Sequence, residues 1–450
     1  MLNPIRLSHA FASIPCLLLC AAASATTLQV PSQYATIQSA IDASFAGDVV
    51  EVGPGIYMES LNFGGREIIV RSTAGAATTV VDPVAGRCLT ASGQKGASAR
   101  LEGFTLRGGN SSQGGGVYVQ SSSPTIANCV IIANAATESG GGVYVASGDP
   151  TFINCTISSN QGTYQGGGVY VYNGSITLDA CTLVANMLTH QYETYGGGIA
   201  LSSASAIAII TGGEIRGNSA KQGGGIYNGS VTINNCTVES NVAQYSGSGG
   251  GNGGGIHSST VTITGGSVKN NTTGGEGGGL YSVTGQVNGC TISGNTAAGN
   301  GAGVSSYGAL MLSWSTLEDN VSGGTGGAWY KSSGSGIVQE CEVKNNSALT
   351  VGGLWLNGGL TTILGSNFCG NGVNITGSWV DAGANSFTLY CDPVCIGDCS
   401  PDGAIDGADL TALLAQWGPC GLGCNADFND DGLVSGADLT IMLTAWGVCQ

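Results

Sequence analysis

The chain has 450 residues, 79 of them glycine, with only 9% charged residues and a net charge of −16. This balance excludes the basic footprint of a nucleic-acid binder, and beyond the N-terminal stretch no run of about 18 apolar residues offers a membrane span. Such a polar, glycine-rich composition can signal disorder, but β-branched residues at regular spacing point to stacked order.

Residues 1–25 read as a secretory signal peptide. Arg6 gives the positive end, Leu17-Leu18-Leu19 the apolar centre, and Ala23-Ser24-Ala25 the small-residue cleavage site. The mature chain is therefore expected outside the cell or at its surface, where 14 of the 16 cysteines, all but Cys16 and Cys20 of the signal, can form disulfides. Residues 26–110 read as an N-terminal cap and first coils. Over Ser32–Ser44, Ile37, Ala40 and Ile41 share one helical face, with Ser32 as the expected N-cap. Open strand edges invite aggregation, so a solenoid needs such a cover. Glu59, in the segment that follows, reads as a surface charge of the cap, with a site residue as the lesser alternative.

A short phrase then recurs ten times: a glycine cluster, one aliphatic, usually an aromatic. Its last glycines are Gly116, Gly142, Gly168, Gly198, Gly225, Gly255, Gly279, Gly303, Gly327 and Gly353. Spacings of 24–30 residues are the mark of a solenoid. The repeat at 140–160 holds three short β-branched runs separated by turn residues, so three strands per coil are expected. Coils would stack at about 4.8 Å. An asparagine ladder follows at 134, 160, 186, 218, 241, 271, 295, 320, 346 and 371. Five residues before it stand Cys129, Cys155, Cys181, Gly213, Cys236, Gly266, Cys290, Ser315, Cys341 and Ser366. Small residues at one phase indicate a tight interior slot, where free cysteine packs as a small hydrophobe; disulfides between coils are the alternative. The asparagine side chain is expected in a turn, bonding the asparagine of the next coil.

These repeats resemble the right-handed parallel β-helix superfamily, which contains pectate lyases and polygalacturonases, over about residues 26–390. The cap resembles the entry to pectinesterase-like β-helices. The glycine-aliphatic phrase with Ile157-Ser158-Ser159-Asn160 also looks like repeats of bacterial β-helical adhesins.

The position after the aliphatic reads Tyr118, Tyr144, Tyr170, Ala200, Tyr227, His257, Tyr281, Ser305, Trp329 and Trp355. Strand alternation places it outward. An exposed aromatic stripe would stack sugar rings, so Tyr118, Tyr144, Tyr170, Tyr227, Tyr281, Trp329 and Trp355 are the candidate carbohydrate-binding residues; mutual stacking is the plainer role. Catalysis finds less support. Glycoside hydrolysis uses two carboxylates flanking the bond, and the acids from Glu138 to Asp381 sit at varied repeat phases. The paired aspartates and Arg-x-Lys of polygalacturonases are not visible, nor is the calcium-binding aspartate group of pectate lyases.

Residues 391–450 form a second unit. Nine of the 28 acids lie in 392–450, which has no lysine or arginine. DCSPDGAIDGAD at 398–409 and DFNDDGLVSGAD at 427–438 align as twelve-residue loops. Asp398, Ser400, Asp402, Asp406 and Asp409, with the Ala404 carbonyl, suit one Ca²⁺. Asp427, Asn429, Asp431, Ser435 and Asp438, with the Leu433 carbonyl, suit a second. Each loop leads into an apolar helix ending at Gly418 or Gly447. Six cysteines, Cys391, Cys395, Cys399, Cys420, Cys424 and Cys449, read as staples of this unit; a zinc site is the weaker alternative. The duplicated loop-helix resembles a type I dockerin, which implies a cohesin-like scaffold as partner. Gly407-Ala408 and Gly436-Ala437 depart from the Ser-Thr-like pairs usual there.

The expected fold is thus all-β: a right-handed parallel β-helix with an N-terminal capping helix, plus a small α-helical calcium-binding dockerin-like module. The expected function is extracellular polysaccharide binding or breakdown, through binding more than chemistry. An adhesin or structural repeat protein, and a polysaccharide lyase or glycoside hydrolase, are the alternatives.

Overall fold

The computed structural model describes residues 25–93, 99–191, 193–244, 251–388, 391, 397–400, 404–419, 424–429 and 431–448. The expected signal segment through Ser24, and Asp402, Cys395, Cys420 and Cys449 of the C-terminal unit, lie outside the described residues.

Valines at alternate positions drive each coil. In Val143–Val145, Val143 and Val145 are fully buried and point to the axis. Thr151–Ile153 follows with Phe152 buried, then Thr156–Ser158 with Ile157 buried. Equivalent strands pair in parallel from coil to coil, Val117 on Val143 on Val169. The first two strands of each coil belong to one 26-stranded sheet and the third to a 14-stranded sheet. A fourth strand, as at Gln161–Gly162, builds a further ten-stranded sheet. Three strands per coil were expected; the fourth is two residues long in most coils, too short to stand out as a separate run.

Corners are made by single left-handed residues. Asn154 (φ 51°) separates the second strand from the third, and Ser159 (φ 53°) ends the third. The glycine cluster answers a different demand. A Cβ on Gly142 would stand 2.7 Å from the Gly168 carbonyl oxygen and 3.0 Å from the Asn160 amide, so only glycine lets adjacent coils close there.

The asparagine ladder is realised. Both the main-chain N–H and Nδ2 of Asn160 donate to Oδ1 of Asn186 at 3.0 Å, and Nδ2 also donates to the Ile131 carbonyl at 2.9 Å. The same double donation repeats from Asn134 to Asn371, and every member is buried. A fully satisfied buried amide column of this kind fixes coil register. The cysteines of the tight slot, with Cys88, are buried and free, so packing and not bridging is the outcome.

The cap helix α1 (Ile37–Ala43) buries Ile37, Ala40 and Ile41 as expected. Its N-cap is Thr36, not Ser32, because Thr36 and Ser39 form a capping box. Glu59 is more than a surface charge: its carboxylate accepts the N–H groups of Ile37 and Gln38 at 2.8 Å, opposing the positive helix end.

Two further short helices, α2 (Gly407–Ala415) and α3 (Gly436–Thr444), lie in the C-terminal unit. Ala404–Ile405 pairs antiparallel with Gly447–Val448, and Gly418–Pro419 with Leu433–Val434. Each loop is therefore clamped to the residue pair that follows the other helix. Ile405, Leu413, Ala426, Val434 and Met442 form the small core between them. Cys391 does not staple this unit: it is bonded to Cys369 in the solenoid. Cys424 is disulfide-bonded, whereas Cys399 is free. Among the described residues no helix is long and apolar enough to cross a membrane.

Candidate functional site

The outward position of the first strand forms one column. In register it runs Tyr118, Tyr144, Tyr170, Ala200, Tyr227, His257, Tyr281, Ser305, Tyr330, Trp355. Neighbouring rings touch: Tyr118 and Tyr144 stack at 5.6 Å, Tyr227 meets His257 edge-on at 4.8 Å, and Tyr330 stacks on Trp355 at 4.7 Å. At the N-terminal end the Arg87 guanidinium lies 4.3 Å above the Tyr118 ring.

Two expectations are corrected here. Trp329 is not in the column. It is fully buried inside the coil, its Nε1 donating to Ser306 Oγ at 2.8 Å. Ala328 occupies the place of the last glycine, so the frame shifts by one and Tyr330 takes the outward position. Nor is the column a free stripe. Tyr144 and Tyr170 are only 6% and 7% exposed, packed against each other and Ala200. Tyr118, Tyr227, Tyr281 and Trp355 are half-buried. An outward ring is covered by the rings one coil above and below, and strand alternation alone does not reveal that.

A second column runs beside the first and was missed in the sequence. Three residues before the last glycine stand Gln165, Tyr195, Gln222, Asn252, Glu276 and Asn300. Their carbonyls accept the N–H of the first glycine of the preceding cluster, as Tyr195 does from Gly166 and Glu276 from Gly253. The fixed offset was legible, but the residue types vary too much to announce a ladder.

The two columns meet at Ser305. This small residue, itself fully buried, pairs with Tyr281 on one side and Tyr330 on the other, so the ladder has a gap in its rings at this level. The Glu276 carboxylate enters that gap. Its Oε2 accepts from Ser305 Oγ at 3.0 Å and from the Tyr307 hydroxyl at 2.7 Å, and its Oε1 accepts from Asn300 Nδ2 at 2.9 Å. Tyr307 also sets its ring edge-on to Tyr281 at 5.7 Å and remains 42% exposed. Burial and then the neighbouring Glu276 charge push the Tyr307, Tyr281 and Tyr330 hydroxyls up. No ion pair reaches Glu276 among the described residues.

Two coils away His257 lies between Tyr227 and Tyr281. Its Nδ1 is buried without a hydrogen-bond partner. Burial pushes its pKa down to about 4, so the ring is neutral at ordinary pH. It serves as a ladder ring, in line with its place in the sequence pattern.

Comparison with known families now decides the architecture. The family described as "Right handed beta helix region" matches over residues 90–211 and 142–322, together more than half of the chain. The chain belongs to the right-handed β-helix family. A similar solved structure is the Azotobacter vinelandii mannuronan C-5 epimerase AlgE6 A-module, at 14% identity and a TM-score of 0.39, covering 79% of this chain and 94% of that one. At that level the likeness says nothing about chemistry. No curated protein matches.

Outside the coils of this right-handed β-helix, the acidic loops hold the remaining expected site residues. Asp409 and Asp438 are buried. Asp409 accepts the N–H groups of Ser400 and Asp406 at 2.8 Å, and Asp438 those of Phe428 and Ser435 at 2.8 Å. Despite burial, these backbone donors hold both carboxyls below the usual range. Asp406 and Ser435 cap α2 and α3. In the second loop Asp427, Asn429 and Asp431 converge: Asp431 N–H lies 3.2 Å from Asp427 Oδ1, and Asn429 Nδ2 donates to Asp431 Oδ2 at 2.9 Å. In the first, Asp398 and Ser400 stand at the loop entry, 3.5 Å apart through their side-chain oxygens. Among the described residues no group of three or more His, Cys, Asp or Glu side chains is close enough to hold a metal.

Proposed function

We propose that this β-helix is a secreted glycan-binding protein, tethered through its C-terminal module. The observation that carries this reading is the pair of parallel columns. Aromatic rings repeat at about one strand spacing along the axis, and beside them runs a line of amide, hydroxyl and acid side chains. Rings supply apolar faces for sugars and the polar line supplies partners for their hydroxyls. The half-buried stretch from Tyr227 to Trp355 is the binding face; Tyr144 and Tyr170 serve packing.

Binding fits better than chemistry. A lyase or glycoside hydrolase would need a second acid or a base facing Glu276, and its hydrogen-bonding partners are all neutral. The test is an array of polysaccharides with product analysis on the mature chain. Retention without cleavage is expected. Failure to retain any glycan overturns the reading, and cleavage moves it to the enzyme class.

The C-terminal module is proposed as the tether. Oxygen side chains of Asp427, Asn429 and Asp431 meet in one loop, the donor set a hard cation prefers, and the Leu433 carbonyl and Ser435 belong to the same loop. Two Ca²⁺ ions, one per loop, would lock the loops onto α2 and α3. The dockerin-like duplication then implies a cohesin-like scaffold as partner. Pull-down of the full chain by a cohesin in calcium, and its loss in chelator, is the expected result; equal capture in both conditions overturns it.

A further inference from the structure

The Ser305 gap has a chemistry that the general glycan face does not require. Glu276 brings a full negative charge into the aromatic column, and every group bonded to it is neutral. An unpaired, partly desolvated carboxylate attracts a cation. Its surroundings choose which cation. Asn300 turns its NH₂ toward the carboxylate, and its Oδ1 is already taken by the Thr325 N–H at 3.0 Å. Ser305 and Tyr307 also present hydrogens. A metal ion gathers several charged or carbonyl oxygens at one point, and among the described residues no group of acids joins Glu276, whose three partners are neutral donors. Aromatic rings are present instead. Tyr281 and Tyr330 flank the gap in register, and Tyr307 borders it with an exposed ring. Tyr330 stacks one face on Trp355 and leaves the other toward the Ser305 level, and a carboxylate beside such a face is the setting that holds an organic ammonium group, through charge and cation–π attraction together. A carboxylate offers about four lone-pair sites, and three are used, so Oε1 keeps one for an ammonium N–H.

We propose that the Ser305 gap is an ammonium subsite, and that the glycan held on this face carries free amino groups, as in a de-N-acetylated hexosamine polymer. The assignment rests on the glycan-binding reading above. A polyuronate is disfavoured, because its carboxylates would face Glu276. Lys269, the lysine nearest to Glu276 in sequence, is paired with Glu239, and Lys331, one coil beyond Ser305, gives no countercharge on this face. It is buried inside the coil, with its ammonium donating to the carbonyls of Gly334, Gly358 and Gly359.

The test uses the full mature chain and three hexamers: β-1,4-glucosamine, its N-acetylated counterpart, and a neutral glucan. Affinities are measured by calorimetry at about pH 6 and moderate salt. The amino hexamer should bind at least about tenfold more tightly than the acetylated one, a difference of about 1.4 kcal/mol. Glu276→Gln, which keeps the shape and most hydrogen bonds, should erase that preference. Asp179→Asn removes the same charge from an exposed site elsewhere and should not, which separates the subsite from general attraction to an acidic protein. Equal affinities for the amino and acetylated hexamers, or a preference that survives Glu276→Gln in a folded variant, overturn the ammonium assignment while the glycan face stands. No binding of any hexamer overturns both.

Discussion

Tyr330 lies flat on Trp355, with ring centroids 4.7 Å apart and 12° between their planes. Trp329, the immediate neighbour of Tyr330, points the opposite way into the core. Adjacent aromatics thus do different work, and substitutions separate them. Trp355→Ala and Tyr330→Ala should each destabilise by about 1–2 kcal/mol, the order of a lost ring contact with partial burial, and should weaken retention on a bound glycan. Trp329→Ala empties a buried site and should cost about 3–5 kcal/mol while leaving retention unchanged in the folded fraction. Denaturant titration and affinity electrophoresis read both quantities. If Trp329→Ala alone abolished retention, the face would be wrongly placed.

The asparagine column makes a sharper stability prediction. Asn241 accepts two bonds from Asn218 and donates to Ile215 and Asn271. Asn241→Ala strands those buried partners, each at about 1–3 kcal/mol, so a total loss of about 3–5 kcal/mol is expected. Asn241→Asp should be worse, since a carboxylate would face the carbonyl of Ile215 and Oδ1 of Asn271. Thermal melts that place both variants near wild type would refute the role of the column.

Acid stability should carry the signature of His257. Its folded pKa of about 4 lies below the ordinary value of 6.5. The unfolded chain therefore binds the proton more readily. The stabilising difference is complete above about pH 6.5 and is lost as pH falls toward 4, with a ceiling of about 3 kcal/mol. His257→Tyr fits the ladder and removes the titration. The difference in unfolding free energy between the two proteins should change across that window; a parallel pair of curves would contradict it.

At the alkaline end the buried thiols act in the opposite sense. Burial pushes Cys88, Cys236 and Cys290 up to about 12 and Cys341 up to about 11. Raised values favour the neutral form in the fold. Their contribution is present below about pH 9 and declines as pH rises through 11–12. Native protein should leave these thiols unreactive toward a disulfide reagent, and denaturant should release them. Rapid labelling of the native chain would show the slot to be open.

Calcium removal should act locally. Chelator should lower the helical signal of α2 and α3 and leave the solenoid melt unchanged, because the calcium binding proposed for these loops would be coupled to their folding and the coil ladders are uncharged. Calorimetric titration of the full chain should show two ions, and Asp427→Ala should weaken one. Absence of any calcium heat would remove both loops from consideration.

Much of this was legible because the solenoid repeats its instructions. The asparagine and cysteine ladders were read in correct register, since ten noisy copies average out. The failures come from single copies. Ala328 standing for glycine misplaced Trp329 by one residue. Ser32 looked like an N-cap, but Thr36 wins because Ser39 completes the box. Glu276 looked like a stray acid. Its partners lie 24, 29 and 31 residues away in sequence, and only coiling brings them together. Exposure failed for a related reason: whether an outward tyrosine meets water depends on the rings of adjacent coils.

The asparagine column also has a direction. Each side-chain amide turns its oxygen toward the N-terminal end and its NH₂ toward the C-terminal end, so the small dipoles add like cells in series. The series has terminals. At the start, Gly109 N–H and the Cys88 thiol feed Oδ1 of Asn134; at the finish, Nδ2 of Asn371 discharges onto Oδ1 of Asn374. A coil inserted between them would extend the circuit without breaking it, whereas a chain cut in mid-column would expose a live end. Lengthening by whole repeats is therefore an easy evolutionary step for this molecule, and shortening from either end is not.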